Sequence, residues 1–393
     1  MLNELKIIQW NARSLKPKWS EFIYNITKNK IQIGLIQETW LTEYDNIKDN
    51  NYNIEKVDRI DGYGGVAMII HKSVTYTKTL SYNDNVTQLI GIEINNYNKP
   101  VHIYNIYCKP KNKIKRRFWE QYMFNKDHGY SIFCGDLNAH HPYWGARSPN
   151  PRGSDIFTEY NKSLLILLND YRHTTIPTLD QNTSTLDLSF VSPNMHSKLE
   201  NWEIMQDTMG SDHFPIVISF NMTNLTCKYN LDWKNISHNK FNFKKANWLV
   251  FSKTVENKVN ELKLSTSFNK MDELYNIITE ACETSIPKIK MPINNSRGFS
   301  PKPWWTDNCS RAIAQRRLAF TRFRKQMTAV NYRTFQIAQL KAREEIQLAK
   351  RLSWEKMCQD IGEKRTSSFA WKIVGKLKGN KCHNSNDTFI NNN

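Results

Sequence analysis

The feature that most constrains the fold of this chain is a succession of short apolar runs, each closing on a polar residue able to do chemistry. Ser131-Ile132-Phe133-Cys134-Gly135-Asp136-Leu137-Asn138 shows the pattern: a strand-type run, a turn glycine, then a carboxylate and a carboxamide two residues apart. Residues two apart on extended backbone point the same way, so Asp136 and Asn138 can face one small target together. Leu5-Lys6-Ile7-Ile8-Gln9-Trp10-Asn11 reads as a buried strand stopping at Asn11, residues 31–36 lead into Glu38, and residues 101–107 end at Tyr107. Residues 186–191 form a run that contains Asp187, and Asp212-His213 stand just before the run 215–220. Further apolar runs at 64–70 and 88–94, with helical spacing at 18–29, 116–124 and 154–169, complete an α/β pattern. Sites gather at strand ends because the sheet fixes the backbone while the ends stay open to solvent.

The residue types at these ends suit one kind of chemistry. Hard divalent ions take oxygen ligands, usually one or two carboxylates completed by water and substrate phosphate. Glu38 and Asp212 fit that role, with Asn11 orienting a ligand or binding beside it. Asp136 can polarise a water, and His213 can exchange a proton or stabilise a developing phosphorane. Asp187 is a natural partner for the second ring nitrogen of His213, and Tyr107 can donate to a phosphate oxygen. Together these parts suit metal-assisted phosphodiester hydrolysis.

Charge divides the chain. Residues 226–393 carry 31 Lys and Arg against 14 Asp and Glu, whereas residues 1–225 carry 24 against 23. Such asymmetry is frequent in proteins that meet nucleic acid. Residues 223–303 read as a linker with short helices at 257–262 and 271–286, and residues 304–378 as a basic helical region with one or two long helices over 308–361. That region either binds nucleic acid or is a hairpin packed on a neighbour; the tail 379–393 is expected to be disordered. No stretch approaches the ~20 apolar residues of a membrane span, so no membrane partner is expected. The seven cysteines lie far apart without a C-x-x-C pair, which points to reduced thiols in the cytosol or nucleus.

Trp10-Asn11, Gln37-Glu38-Thr39, Ile106-Tyr107, Gly135-Asp136-Leu137-Asn138, Ser184-Thr185-Leu186-Asp187 and Ser211-Asp212-His213 stand in the order of the endonuclease/exonuclease/phosphatase superfamily, which this chain resembles over roughly residues 5–222. The stretch after Asn138, with Trp144-Gly145, Asn150 and Arg152-Gly153, looks like the endonuclease of Jockey-type non-LTR retrotransposons. Lys302-Pro303-Trp304-Trp305 and the basic helices beyond resemble the segment joining that endonuclease to a reverse transcriptase. The resemblance implies a four-layer α/β sandwich in residues 1–222, a Mg²⁺ or Mn²⁺ requirement, a double-stranded DNA target, and cleavage leaving a 3′-hydroxyl that primes reverse transcription. It implies metal ligation by Glu38, Asp212 and Asn11, and catalysis by Asp136, His213, Asp187, Asn138 and Tyr107. Thr185, Arg13, Trp144 and Arg152 are expected to bind substrate, with element RNA a further expected partner of the basic region and the nucleus the expected location.

Arg13 stands where the repair enzymes of the superfamily carry an acidic residue, and Cys108-Lys109-Pro110 where they carry an asparagine. Abasic-site specificity is therefore not expected. No paired-aspartate polymerase block occurs before residue 393, so a truncated copy or a fragment is expected. The rival readings are a superfamily phosphatase or phospholipase, and a decayed copy that only binds nucleic acid. The nearly neutral front half is expected to fold and act without the basic back half.

Overall fold

A computed structural model of the chain describes residues 3–59, 61–124, 129–177, 183–225, 245–263, 270–287 and 302–363. Its centre is a pair of six-stranded sheets. The first orders its strands β11 (Leu199–Ile204), β12 (Ile216–Asn221), β1 (Glu4–Asn11), β2 (Ile33–Gln37), β4 (Val66–His71) and β3 (Tyr52–Val57). The second runs β5 (Tyr76–Asn83), β6 (Thr87–Ile94), β7 (Val101–Cys108), β8 (Tyr130–Asp136), β10 (Asp187–Val191) and β9 (Ile166–Leu167). β1 pairs parallel with β2 and β7 parallel with β8, and the other pairs are antiparallel.

Side-chain alternation builds the layers. Leu5 and Ile7 of β1, Ile103 of β7, Ile132 of β8 and Val191 of β10 meet between the sheets. The alternate residues of β1, Ile8 and Trp10, pack outward on Phe22, Ile23 and Ile26 of α1 (Trp19–Lys28). Those of β8 and β10, Phe133 and Phe190, pack outward with Phe118 and Trp119 of α2 (Arg116–Trp119) and Ile156 of α3 (Pro151–Tyr160). The result is the expected four-layer sandwich, with the short α4 (Pro193–His196) between β10 and β11. The helical spacing over 154–169 ends early: α3 stops at Tyr160 and the chain turns into edge strand β9.

Residues 245–287 contribute α5 (Trp248–Lys263) and α6 (Lys270–Ser285), which pack on each other and exchange the ion pair Lys258–Glu280 at 2.6 Å. They belong to a separate compact unit. The basic region instead joins the sandwich in one compact unit. It forms α7 (Asp307–Lys325), capped by Thr306, and α8 (Ala329–Glu363), packed as a hairpin through Ala312, Ile313, Ala342, Ile346 and Ala349. Tyr24 of α1 stacks on Trp305, and Lys302 pairs with Asp49 at 2.7 Å. The expected disordered tail and most of the loop 287–303 lie outside the described residues.

Candidate active site

Following the rows that face the opposite sheet to their ends leads to one place. In β1 the inward row runs Leu5, Ile7, Gln9, Asn11; in β2 Ile33, Leu35, Gln37; in β7 Ile103, Asn105, Tyr107; in β8 Ile132, Cys134, Asp136; in β10 Val191, Ser189, Asp187. Each row begins apolar and ends polar, so the interior of the sandwich becomes a polar site at one end. Most of these buried polar groups are paired, as such groups generally are, although Gln37 Oε1 has no hydrogen-bond partner. Gln37 donates to Asn105 Oδ1 at 2.6 Å, Asn105 donates to the carbonyls of Ile36 and Ala67, and Gln9 donates to Asp187 Oδ1 at 3.2 Å.

Asp136 and Asp187 face each other across the β8–β10 ladder. Asn11 ties the two sheets together at this level: its Nδ2 donates to Glu38 Oε1 at 3.0 Å and to Asp136 Oδ2 at 2.8 Å. Asn138 donates its backbone N–H to Asp136 Oδ1 at 3.0 Å and its amide to the Cys108 carbonyl. His213 sets Nδ1 against Asp187 Oδ2 at 2.7 Å. Ser211, two residues before it, donates to the Asn11 carbonyl at 2.7 Å. The buried Tyr107 phenol lies close to Glu38, and Trp40 donates to the other oxygen of Glu38 at 3.2 Å.

Backbone shape aims these groups. Arg13, Glu38 and Asn138 lie at φ of +41°, +47° and +47°, left-handed backbone that non-glycine residues adopt at a cost and that clusters at functional sites. Gly135 is required by closeness: a Cβ there would sit 1.9 Å from the Ile106 carbonyl oxygen, so β7 and β8 hold Asp136 only because its neighbour has no side chain.

Electrostatics follow from burial. Desolvation pushes the Asp136 carboxyl up to about 7; Asp187 and Glu38 add to the rise, while His213 and Asn11 oppose it. Burial alone would lower His213, but the Asp187 carboxylate outweighs it, with help from Asp136 and Asp212, and raises the imidazole to about 10. Burial, together with Glu38 and Asp136, drives the Tyr107 phenol far up, so it remains a donor.

Glu38 and Asp136 offer carboxylate oxygens that converge on the single amide N–H₂ group of Asn11, whose own oxygen accepts the Arg13 N–H. That donor set suits a hard divalent cation and not a thiolate- or imidazole-seeking one. Among the described residues no three Asp, Glu, His or Cys side chains are grouped to hold an ion. An ion here would therefore draw on one or two carboxylates, with amide oxygen, water and substrate completing its shell.

The structure brings together Asn11, Glu38, Tyr107, Asp136, Asn138, Asp187 and His213. Asp212, expected beside Glu38, lies next to His213 but engages Arg13 in an ion pair. Arg13, whose side chain is 57% exposed, thus meets a carboxylate rather than standing free for substrate. Three residues expected to bind substrate have buried side chains. Trp144 is fully buried, its indole N–H donating to the Ala139 carbonyl at 3.0 Å. Arg152 is buried too; its guanidinium donates to the carbonyls of Leu137, Lys109 and Asn112 at 2.8, 2.7 and 2.6 Å and pins the loop after Asp136 to the loop after β7. Thr185 is buried with its hydroxyl on the Arg172 carbonyl at 3.3 Å.

A cleft of about 750 Å³ opens beside this loop, lined by His140, Arg147, Asn150, His173 and Ser184. Gln9, Trp40, Asn105 and Ser189 were missed as site support. Stepping back by two from each strand end would have found all but Trp40.

Residues 101–217 match the family model described as endonuclease-reverse transcriptase. A curated relative, the probable RNA-directed DNA polymerase from transposon BS of Drosophila melanogaster, is 23% identical over 226 residues, or 56% of this chain. This chain spans only 24% of that relative's length. Among solved structures, the endonuclease domain of TRAS1, a telomere-specific non-LTR retrotransposon, is 20% identical with a TM-score of 0.47, over 56% of this chain and 99% of its own. The AP endonuclease LMAP from Leishmania major is 14% identical with a TM-score of 0.46, over 56% of this chain and 88% of its own.

Proposed function

We propose, from the premise that this chain carries a domain of the endonuclease/exonuclease/phosphatase superfamily, that the domain is a divalent-metal-dependent DNA endonuclease of a non-LTR retrotransposon. It would hydrolyse a phosphodiester to leave a 3′-hydroxyl able to prime reverse transcription. The observation that supports this best is the buried knot in which Asn11 joins Glu38 to Asp136 while His213 rests on Asp187. Glu38, with Asn11 and Asp136 at hand, would hold Mg²⁺ or Mn²⁺. The ion would supply a Lewis acid for the phosphate oxygens.

The remaining roles belong to the chain. Asp136, its carboxyl poised near neutral, accepts a proton from an attacking water. Asn138 fixes the Asp136 oxygens by two donated bonds. Asp187 keeps His213 as an imidazolium, which then donates to a phosphate oxygen and stabilises the charge that develops there. Trp40 holds Glu38 in place, and the Tyr107 phenol beside it remains a donor.

Incubation with supercoiled plasmid tests the reading. Nicked circles should form with Mg²⁺ or Mn²⁺ and disappear with EDTA. Full activity in chelator would refute the metal role, and release of phosphate from inositol phosphates without nicking would favour the phosphatase alternative.

A further inference from the structure

The basic hairpin does more than add charge. Arg316 of α7 is buried, its guanidinium bonded to both carboxylate oxygens of Glu21 on α1 and to Asp207 Oδ1 and Oδ2 at 2.7 and 2.8 Å. Arg317 adds a bond to Asp207 at 2.9 Å. Asp207 opens the loop 207–214, which carries Ser211, Asp212 and His213, and itself accepts the Met209 N–H at 3.1 Å. The far end of the same loop is held by hydrophobic contact: Phe214, the residue after His213, packs with Ala319, Phe320 and Phe323 of α7 and Phe335 of α8. In the middle, a Cβ on Gly210 would lie 3.2 Å from the Gln339 amide of α8. Three points of one loop, before, within and after the reactive residues, thus rest on a hairpin about a hundred residues further along the chain.

We propose that the hairpin α7–α8 is a positioning part of the active site, in which Arg316 and Phe320 hold the loop 207–214 so that His213 stays on Asp187. This rests on the nuclease reading and deepens it: the expectation that the front half acts alone is replaced by one in which residues 302–363 set the geometry of the loop that carries His213. A buried arginine with two carboxylate partners from separate elements is a costly feature to retain as mere packing. A misplacement of about 1 Å at a reacting group can cost on the order of 10²-fold in rate.

The test uses the full chain and four variants: Phe320→Ala, Phe320→Leu, His213→Ala and the double variant Phe320→Ala/His213→Ala. Nicking kinetics and amide hydrogen exchange are measured on each, with Arg316→Lys as a fifth variant in case Phe320→Ala does not fold. Phe320→Ala should lower kcat by roughly 10- to 100-fold with KM changed by less than about threefold, and Phe320→Leu should recover most of it. On the His213→Ala background the same substitution should cost little, because residues acting as a unit are not additive. Exchange in 207–214 should rise in Phe320→Ala or Arg316→Lys while β1 and β8 stay protected. Unchanged exchange in that loop, or losses that simply multiply, would overturn the proposal. Wild-type protein that fails to nick while the exchange changes as expected would sink the nuclease reading and leave the positioning of the loop standing.

Discussion

Asp187→Asn removes one charge and keeps a side chain of the same shape against His213. In the native protein Asp187 Oδ2 lies 2.7 Å from His213 Nδ1, and both groups are buried. His213 is raised from an ordinary 6.5 to about 10 against the opposing effect of burial. At about 1.36 kcal/mol per pKa unit, that rise is on the order of 5 kcal/mol of preference for the protonated ring. Because the folded pKa lies above the unfolded one, this stabilisation is fully present below about 6.5 and is lost as pH climbs through about 10. With asparagine in place, burial has the larger say and the ring should titrate near or below its ordinary value. Two assays follow. Nuclear magnetic resonance of labelled histidine should show the His213 titration moving down by several pH units. The alkaline limb of the pH–rate profile should move with it, with a rate loss at neutral pH of about 10²–10⁴-fold. DNA binding measured in Ca²⁺ serves as the folding control and should change little. An unmoved titration, or a rate loss with the pH limb in place, would refute the assignment of the imidazolium to Asp187.

Further outcomes follow from other parts of the structure. Glu38→Gln should raise the Mg²⁺ concentration for half-maximal nicking by about tenfold or more; an unchanged requirement would remove Glu38 from the metal site. Arg152→Met leaves three carbonyls without their donor and should lower stability by about 2–4 kcal/mol in urea unfolding, with DNA affinity of the folded fraction unchanged. A loss of affinity without a loss of stability would return Arg152 to the substrate. Arg316 and Arg317 overcome the effect of burial on Asp207 and hold its carboxyl below the ordinary 3.8. Its contribution is therefore present above that value and lost as pH falls through the lower folded one, so the hairpin should loosen on acidification below about pH 4. Tryptophan fluorescence of Trp305 stacked on Tyr24 can follow it, and a signal flat through that range would refute the link.

The strands that sequence periodicity reveals and those it hides separate on physical grounds. β1, β2, β4, β6, β7, β8, β10 and β12 all have neighbours on both sides, and their apolar runs are plain in the sequence. The four that escape are β3, β5, β9 and β11, which are the four sheet edges. Tyr76–Asn83 shows why: the strand leaves Thr77, Lys78, Thr79 and Ser81 exposed, so its sequence looks like a loop. An edge strand is held by one neighbour and by water, and its composition carries little of the periodic signal that buried strands must have.

The same reasoning explains which site residues could be read in advance. Asn11, Asp136 and Asp187 stand where an apolar row breaks into polarity, and a polar group at the mouth of a core has few uses except chemistry or the support of it. Trp144 and Arg152 lie in a turn and a first helical residue run where no alternation says which way a side chain points, and both turned inward. Arg316 is one of twelve basic residues on α7 and α8 and in sequence is indistinguishable from its solvated neighbours. What marks it is the company of Glu21 and Asp207, brought from 295 and 109 residues away. A long-range ion cluster leaves no local pattern, so the dependence of the His213 loop on the hairpin becomes legible only once the chain is folded.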